Sequence, residues 1–337
     1  MINKKGKILI TGGSGFIGSH LTEAFLKQGR TVICLDKKIN KNYFKNYKKI
    51  EFLSKDITDQ SLLKLDFSQV NEIYHLAGVQ SYLGLSKEEY DLINVKGTRN
   101  LLELSVANKI KRFVFFSSIS AVGSTKEPVV LDEDSLCRPY SVYGESKRKA
   151  EELIFEYFSK HKLPTIILRT SKVYGPRDKS ELIKLYAMIK KRIFCSLQGM
   201  QNKKISFCYI ENLIEACMCL DKNNSSSGNV YFISDRRPYT WKEFIHTIAK
   251  SEAVPAPNIS LPVQIAKLGA YFLERFNKKL RKSALPPTQA LSKIVKDYEI
   301  CSISKAKQDL NFYPKFNLEE GMYRTIKWYN NSINRKK

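Results

Sequence analysis

The sequence predicts an α/β protein built on a doubly wound parallel sheet, with a smaller C-terminal substrate lobe interleaved with it. Three observations carry this expectation. Short apolar segments at 7–11, 31–35, 50–53, 72–76, 113–117 and 165–168 alternate with helical patterns, as strands covered on both faces do. The first of them runs directly into Gly12, Gly15 and Gly18 and then into an amphipathic stretch. Finally, after the pattern loosens beyond Tyr174, Gly175, Pro176 and Arg177, a further apolar segment at 229–234 reads as a strand that returns to the sheet.

Taken in order, the strand at 7–11 and its glycines form a dinucleotide cradle. Gly12 permits a tight turn, Gly15 lets the backbone approach a pyrophosphate, and Gly18 lets the helix pack on the strand. The free amides at the helix start attract phosphate charge. Asp36 ends the next strand at about the twenty-residue separation expected of a ribose-binding carboxylate. Long helices are expected over 88–108 and 141–161, the second stopping before Pro164. These elements divide the chain into a nucleotide-binding domain at 1–175, a mainly substrate-binding lobe at 176–330 and a basic tail at 331–337. The polar tract at 223–227 is the one stretch of low complexity.

Composition narrows the function classes. With 337 residues, 43% of them hydrophobic, the chain can bury one large core or two modest ones. Seven cysteines, an odd number without a Cys-x-x-Cys pair or a histidine cluster, argue against disulfides and against a metal site. The apolar stretch at 8–10 ends at once in Thr11 and Gly12, so it reads as a strand and not as a leader. No run approaches the ~18 apolar residues of a membrane span, and a reducing, cytoplasmic setting is expected. The net charge of +24 comes from lysines spread over the whole chain beside many Asn, Ile and Tyr, a compositional bias and not a nucleic-acid signature. One basic amphipathic segment stands out at 261–282, where Val263, Ile265, Leu268, Phe272, Leu273 and Phe276 precede Lys278, Lys279, Arg281 and Lys282. It reads as a lid or packing helix, with weak membrane-surface contact as the alternative.

Tyr143 and Lys147 place a phenol and an ammonium four residues apart on one helical face. A tyrosine starts near pKa ~10, and a neighbouring cation favours its phenolate, so such a pair can exchange a proton with a secondary alcohol or ketone. Tyr186 with Lys190 and Tyr323 with Lys327 share the spacing, so spacing alone says little. Context separates Tyr143: the segment at 115–123, with Ser117, Ser118 and Ser120, ends a predicted strand just upstream, at the carboxyl edge where ligands bind in such sheets.

Together the glycine turn, Asp36, Asp56 and Ile57, the segment His75 to Gly78, Asn94, the serine strand, Tyr143 to Lys147 and the segment Leu168 to Arg177 resemble the extended short-chain dehydrogenase/reductase family, over nearly the whole chain. The resemblance implies a Rossmann-type fold and an NAD-dependent enzyme of the epimerase/dehydratase superfamily, expected to be a homodimer. It implies Tyr143 as general acid/base, Lys147 as the cation that lowers its pKa and holds the nicotinamide ribose, and Ser118 as the hydroxyl that orients the substrate oxygen, with Ser117 and Ser120 as fallbacks. It places Gly12, Gly15, Phe16, Ile17 and Gly18 at the cofactor, with Asp36 on the adenosine ribose, Asp56 and Ile57 at the adenine edge, and Ala77, Gly78 and Asn94 beside it. His75 is expected to be structural. A carboxylate at Asp36 favours NAD over NADP, which a 2′-phosphate would bring against it. Lys37 and Lys38 leave NADP as the alternative.

Substrate-side residues choose the branch. Relatives acting on nucleotide sugars commonly meet the second pyrophosphate with an Asn and an Arg, and Lys172 and Ile205 stand at the corresponding positions. Segments 174–178, 206–213 and 230–241 look like the 3β-hydroxysteroid/sterol dehydrogenase branch. The expected reaction is therefore interconversion of a secondary alcohol and ketone on a hydrophobic small molecule. A nucleotide-sugar 4-epimerase or dehydratase is the first alternative, and a non-catalytic cofactor-binding scaffold the remote one.

Overall fold

The computed structural model describes residues 6–80, 85–222, 227–276, 291, 294–295 and 297–334. Most of the tract at 223–227, the cations Lys278, Lys279, Arg281 and Lys282, and the last three residues of the tail lie outside them.

Seven parallel strands form the central sheet: β1 (Lys7–Thr11), β2 (Val32–Asp36), β3 (Ile50–Ser54), β4 (Val70–His75), β5 (Arg112–Ser118), β6 (Thr165–Thr170) and β7 (Asn229–Ile233). Their spatial order is β7-β6-β5-β4-β1-β2-β3, so the chain reverses direction across the sheet between β1 and β4. That switch point is where doubly wound sheets bind ligands. Both faces are buried, which is why the strands read as continuous apolar runs. Ile8, Ile10, Val32, Cys34, Val114, Phe116, Ile166 and Leu168 face one core, and the residues between them, Leu9, Ile33, Phe113, Phe115 and Ile167, face the other. The segment at 229–234 does return, Val230 pairing with Ile167 and Ile233 with Thr170.

Helix α1 (Phe16–Lys27) follows the glycine turn. The helix expected over 88–108 begins at Lys87, behind a Ser86/Glu89 capping box, and ends with α2 (Gly97–Ala107), but the segment between, Asp91–Lys96, is wound as a π-helix. Helix α3 (Val142–His161) matches expectation: Ser141 caps it, its hydroxyl accepting from the Gly144 amide at 3.1 Å, and Lys162 ends it in the left-handed region at φ 55°.

The second hydrophobic unit gathers Tyr174, Tyr209, Trp241, Phe244, Leu318 and Met322 around the stacked rings of Phe207 and Phe244, 4.0 Å apart. A buried carboxylate ties it together. Asp235 accepts from the Tyr209 amide at 2.8 Å and Asn212 Nδ2 at 2.7 Å, while Asn212 Oδ1 accepts from the Lys315 and Phe316 amides.

Candidate active site

The turn after β1 explains its glycines. Gly12 has φ +68°, and a Cβ there would lie 2.9 Å from the Ala77 nitrogen; one on Gly18 would lie 2.0 Å from the Gly12 carbonyl oxygen. Helix α1 starts at Gly15 with no side-chain cap and no acidic residue in its first turn. Its leading amides are therefore left for an anion.

A cleft of about 360 Å³ opens above this turn, along the carboxyl ends of β1, β2, β4, β5 and β6. Gly12, Gly15, Phe16, Ile17, Gly18, Asp36, Asp56, Ile57, Ala77, Gly78, Tyr143 and Lys147 all line it. Asp36 is held in place: its carboxylate accepts from the Ser14 amide at 3.1 Å and the Lys38 amide at 3.3 Å. Lys37 pairs with Asp56 at 2.7 Å; desolvation, the largest single effect, raises the Asp56 carboxyl, but the Lys37 ammonium and the Thr58 amide together hold it below its usual range. An uncapped helix start, a glycine floor and a fixed carboxylate at the end of β2 fit a dinucleotide with a free ribose hydroxyl.

Asn94 is not on the cleft wall. From the π-helical segment its Oδ1 accepts from the Val79 amide at 2.8 Å and its Nδ2 donates to Ser146 Oγ at 2.9 Å, so it braces the 77–80 loop against α3 from behind. A Cβ on Gly78 would meet Asn94 Oδ1 at 2.8 Å. The insertion that makes the segment π-helical thus serves a tertiary contact.

At the inner end of the cleft, Tyr143 hydrogen-bonds Ser118, the last residue of β5, whose hydroxyl also accepts from the Ser120 amide at 3.1 Å. Of the two fallback serines, Ser117 lines the cleft, as Ser118 does not, but the Ser117 hydroxyl is engaged; Ser120 is not on the cleft wall. Ser117 donates to Glu151 at 2.6 Å, inside a buried pair of Glu151 with Arg169, and Ser120 bonds the Tyr140 hydroxyl. His75 is used on both ring nitrogens, by Thr11 at 2.8 Å and Thr98 at 2.9 Å, and burial depresses it to about 3. It is a neutral structural residue.

The electrostatics correct one expectation. Burial pushes the Tyr143 phenol up to about 12, opposed by the Ser118 hydrogen bond and reinforced by Tyr90, whose ring lies edge-on at 6.2 Å. Lys147 does not offset this. Its ammonium donates to the Phe116 carbonyl at 2.7 Å and sits 4.4 Å from the centre of the Phe115 ring. Desolvation lowers Lys147 to about 8, partly countered by Glu151. The spacing of Tyr143 and Lys147 brings both to the cleft, but the cation is turned towards the sheet. Tyr90, which donates to the Gln80 carbonyl at 2.9 Å, was not singled out from the sequence; among 18 tyrosines nothing in its spacing marks it.

On the substrate side, Lys172 is exposed, whereas Ile205 is buried in the lobe core, paired with Tyr239. Lys203 lies 4.0 Å over the Tyr298 ring.

A dinucleotide cradle joined to a tyrosine, lysine and serine at one end defines an NAD-dependent oxidoreductase of the extended short-chain dehydrogenase/reductase type. The model of the NAD dependent epimerase/dehydratase family matches residues 8–234, and the chain belongs to that family. The sterol-4-alpha-carboxylate 3-dehydrogenase (decarboxylating) of Candida albicans is 28% identical, covering 97% of this chain and 98% of that protein. A 3-beta-hydroxysteroid dehydrogenase of Mycolicibacterium neoaurum is 27% identical, over 96% and 91%. Among solved structures, the UDP-glucuronic acid 4-epimerase of Bacillus cereus in complex with NAD superposes with a TM-score of 0.76 at 25% identity, covering 97% and 99% of the two chains.

Proposed function

We propose that this enzyme interconverts a secondary alcohol and a ketone on a hydrophobic, 3β-hydroxysteroid- or sterol-like molecule. The observation that carries it is Ile205. Where a nucleotide-sugar enzyme needs a cation against the second pyrophosphate, this chain puts a buried aliphatic side chain into the lobe core. A guanidinium bound to phosphate is worth ~1.5–3 kcal/mol, so its loss is felt as roughly tenfold to a hundredfold in affinity. The names of the two dehydrogenase relatives support the same substrate class.

In this proposal residues 1–175 with β7 hold the cofactor, and 176–330 form most of the substrate side. The leading amides of α1 receive the pyrophosphate, Asp36 the ribose hydroxyls, and Asp56 with Ile57 the adenine. Bound NAD supplies the hydride acceptor. Tyr143 moves the proton at the substrate oxygen, and Ser118, bonded to the phenol, orients that oxygen. Burial keeps the phenol protonated at neutral pH, so in the ketone-to-alcohol direction it holds the proton to be given and in the oxidation direction it must first lose it. Alcohol oxidation needs the phenolate, which a Lys147 ammonium nearer the phenol would favour. Asn94 acts through the 77–80 loop and touches no reacting atom.

A second proposal, a nucleotide-sugar 4-epimerase, is favoured by the likeness to the Bacillus cereus enzyme and by exposed Lys172. Calorimetric titration of the NAD-loaded protein separates the two. Binding of a 3β-hydroxysteroid with weak, salt-sensitive binding of UDP-glucose is expected. Micromolar UDP-glucose binding that persists at moderate salt overturns the hydrophobic-alcohol proposal.

A further inference from the structure

Ser120 is fastened on three sides beside Ser118 and Tyr143. Its amide donates to Ser118 Oγ at 3.1 Å, and its hydroxyl bonds the Tyr140 hydroxyl. Its carbonyl is pressed on Gly144, the residue after Tyr143, where a Cβ would lie 2.3 Å from the oxygen. Tyr140 in turn donates to Glu299 Oε1 at 3.0 Å. A phenol has one hydrogen, so Ser120 must donate into the Tyr140 oxygen, and the row from Ser120 to Glu299 has a single direction. The Tyr140 ring is 37% exposed, so its hydroxyl, more than packing, holds the side chain in place. Glu299 is buried and fixed from the other side of the molecule. Its carbonyl accepts from the Ser206 amide at 2.7 Å, it bridges to Ile205 of the lobe core, and Ile300 and Cys301 after it pair with Val130 and Leu131.

We propose that Tyr140 and Glu299 are positioning residues for the reaction: anchored in the substrate lobe, they hold Ser120, and the Ser120 amide holds the Ser118 hydroxyl in register with Tyr143. Both act through Ser120 and not on the reacting atoms. A hydroxyl that orients a substrate oxygen must keep its place to within a fraction of an ångström, and the Ser120 amide is the contact that fixes Ser118 from the side away from the phenol. Loss of the row leaves Ser118 and Tyr143 in the chain but frees the turn that aligns them. The proposal rests on Ser118 as the orienting hydroxyl, and stands independently of which substrate the cleft takes.

Steady-state kinetics of the full-length protein test it, with whichever of a 3β-hydroxysteroid and UDP-glucose wild type turns over. Glu299→Ala and Tyr140→Phe are each expected to lower kcat about tenfold, with KM and NAD affinity within about threefold of wild type. Glu299→Gln keeps an oxygen for the Tyr140 hydroxyl and should recover kcat to within about threefold of wild type. A second measurement needs no substrate: urea unfolding of Ser118→Ala, Glu299→Ala and the double variant. If the row links the two residues, the folding constant of the double variant departs by at least about threefold from the product of the single effects. Additive unfolding effects overturn the proposal, as does an undiminished kcat in Glu299→Ala and Tyr140→Phe. So does a Glu299→Gln variant as slow as Glu299→Ala. Wild type that turns over neither substrate contradicts the proposed function, and the unfolding cycle still decides the row.

Discussion

Lys147 Nζ donates to the Phe116 carbonyl oxygen at 2.7 Å from a buried position where its charge is poorly solvated, which lowers it to about 8. The group placed for function is therefore a load on the fold. The unfolded chain binds its proton more tightly, so below pH 8 the charged lysine costs on the order of 3 kcal/mol. The cost falls away as pH rises from about 8 towards the unfolded value.

Lys147→Met removes the charge while keeping most of the volume, and leaves the Phe116 carbonyl unpaired at a cost of ~1 kcal/mol. The cofactor-free variant should gain on the order of 1–2 kcal/mol near neutral pH, a few degrees in thermal midpoint, while losing turnover. Thermal scans from pH 7 to about 10 check this, with the gain shrinking across the range. A variant less stable than wild type at pH 7 contradicts it.

Asp36→Ala removes a carboxylate fixed by the Ser14 and Lys38 amides. NAD affinity should fall about tenfold and discrimination against NADP should narrow. Titration with both nucleotides reads this out. Wild type that already prefers NADP would transfer the role to Lys37.

Asn94→Ala should weaken NAD binding by roughly tenfold through the loosened 77–80 loop, with circular dichroism unchanged. Asn94→Asp keeps the acceptor for the Val79 amide but not the donor to Ser146, and should fall between the two. Equal affinities for all three proteins would remove the bracing role.

Asp235 is buried and its carboxyl is raised to about 7 by desolvation, against the hydrogen bonds from Tyr209, Asn212 and Tyr174. A raised carboxyl is worth most while protonated, so its contribution is complete below about pH 4 and is lost as pH rises through 7. Asp235→Asn keeps an oxygen for the Tyr209 amide and Asn212, and presents a donor to Tyr174. Wild-type stability should drop by on the order of 2–4 kcal/mol between about pH 5 and pH 8 relative to the variant. Parallel curves would show that the carboxyl does not titrate there.

The sheet was legible because its strands are buried on both faces, which leaves unbroken apolar runs such as Phe113 to Phe116 between polar punctuation. The glycine turn and Asp36 were legible because a turn, a close approach and a strand end each demand a residue type. The π-helical segment was not, since its extra residue answers to Val79 and Ser146 and not to anything local. Nor was the state of Tyr143 and Lys147: four-residue spacing brings both to the cleft, but their proton affinities follow from burial, and the ammonium is turned to the Phe116 carbonyl. The Asp235 and Asn212 lock, and the buried cluster of Arg30, Glu72, Arg112 and Asp221, join residues far apart in sequence and left no pattern in it.

The central claim is that Tyr143 moves the proton in an NAD-linked alcohol–ketone conversion. It is tested most directly by the NADH formed from a 3β-hydroxysteroid by wild type and by Tyr143→Phe. Wild type is expected to turn over, and the variant to lose ~10²–10⁴-fold in kcat while its NAD affinity stays within about threefold, because the phenol supplies proton transfer and only part of the pocket. A variant that retains a rate within about tenfold of wild type contradicts the assignment.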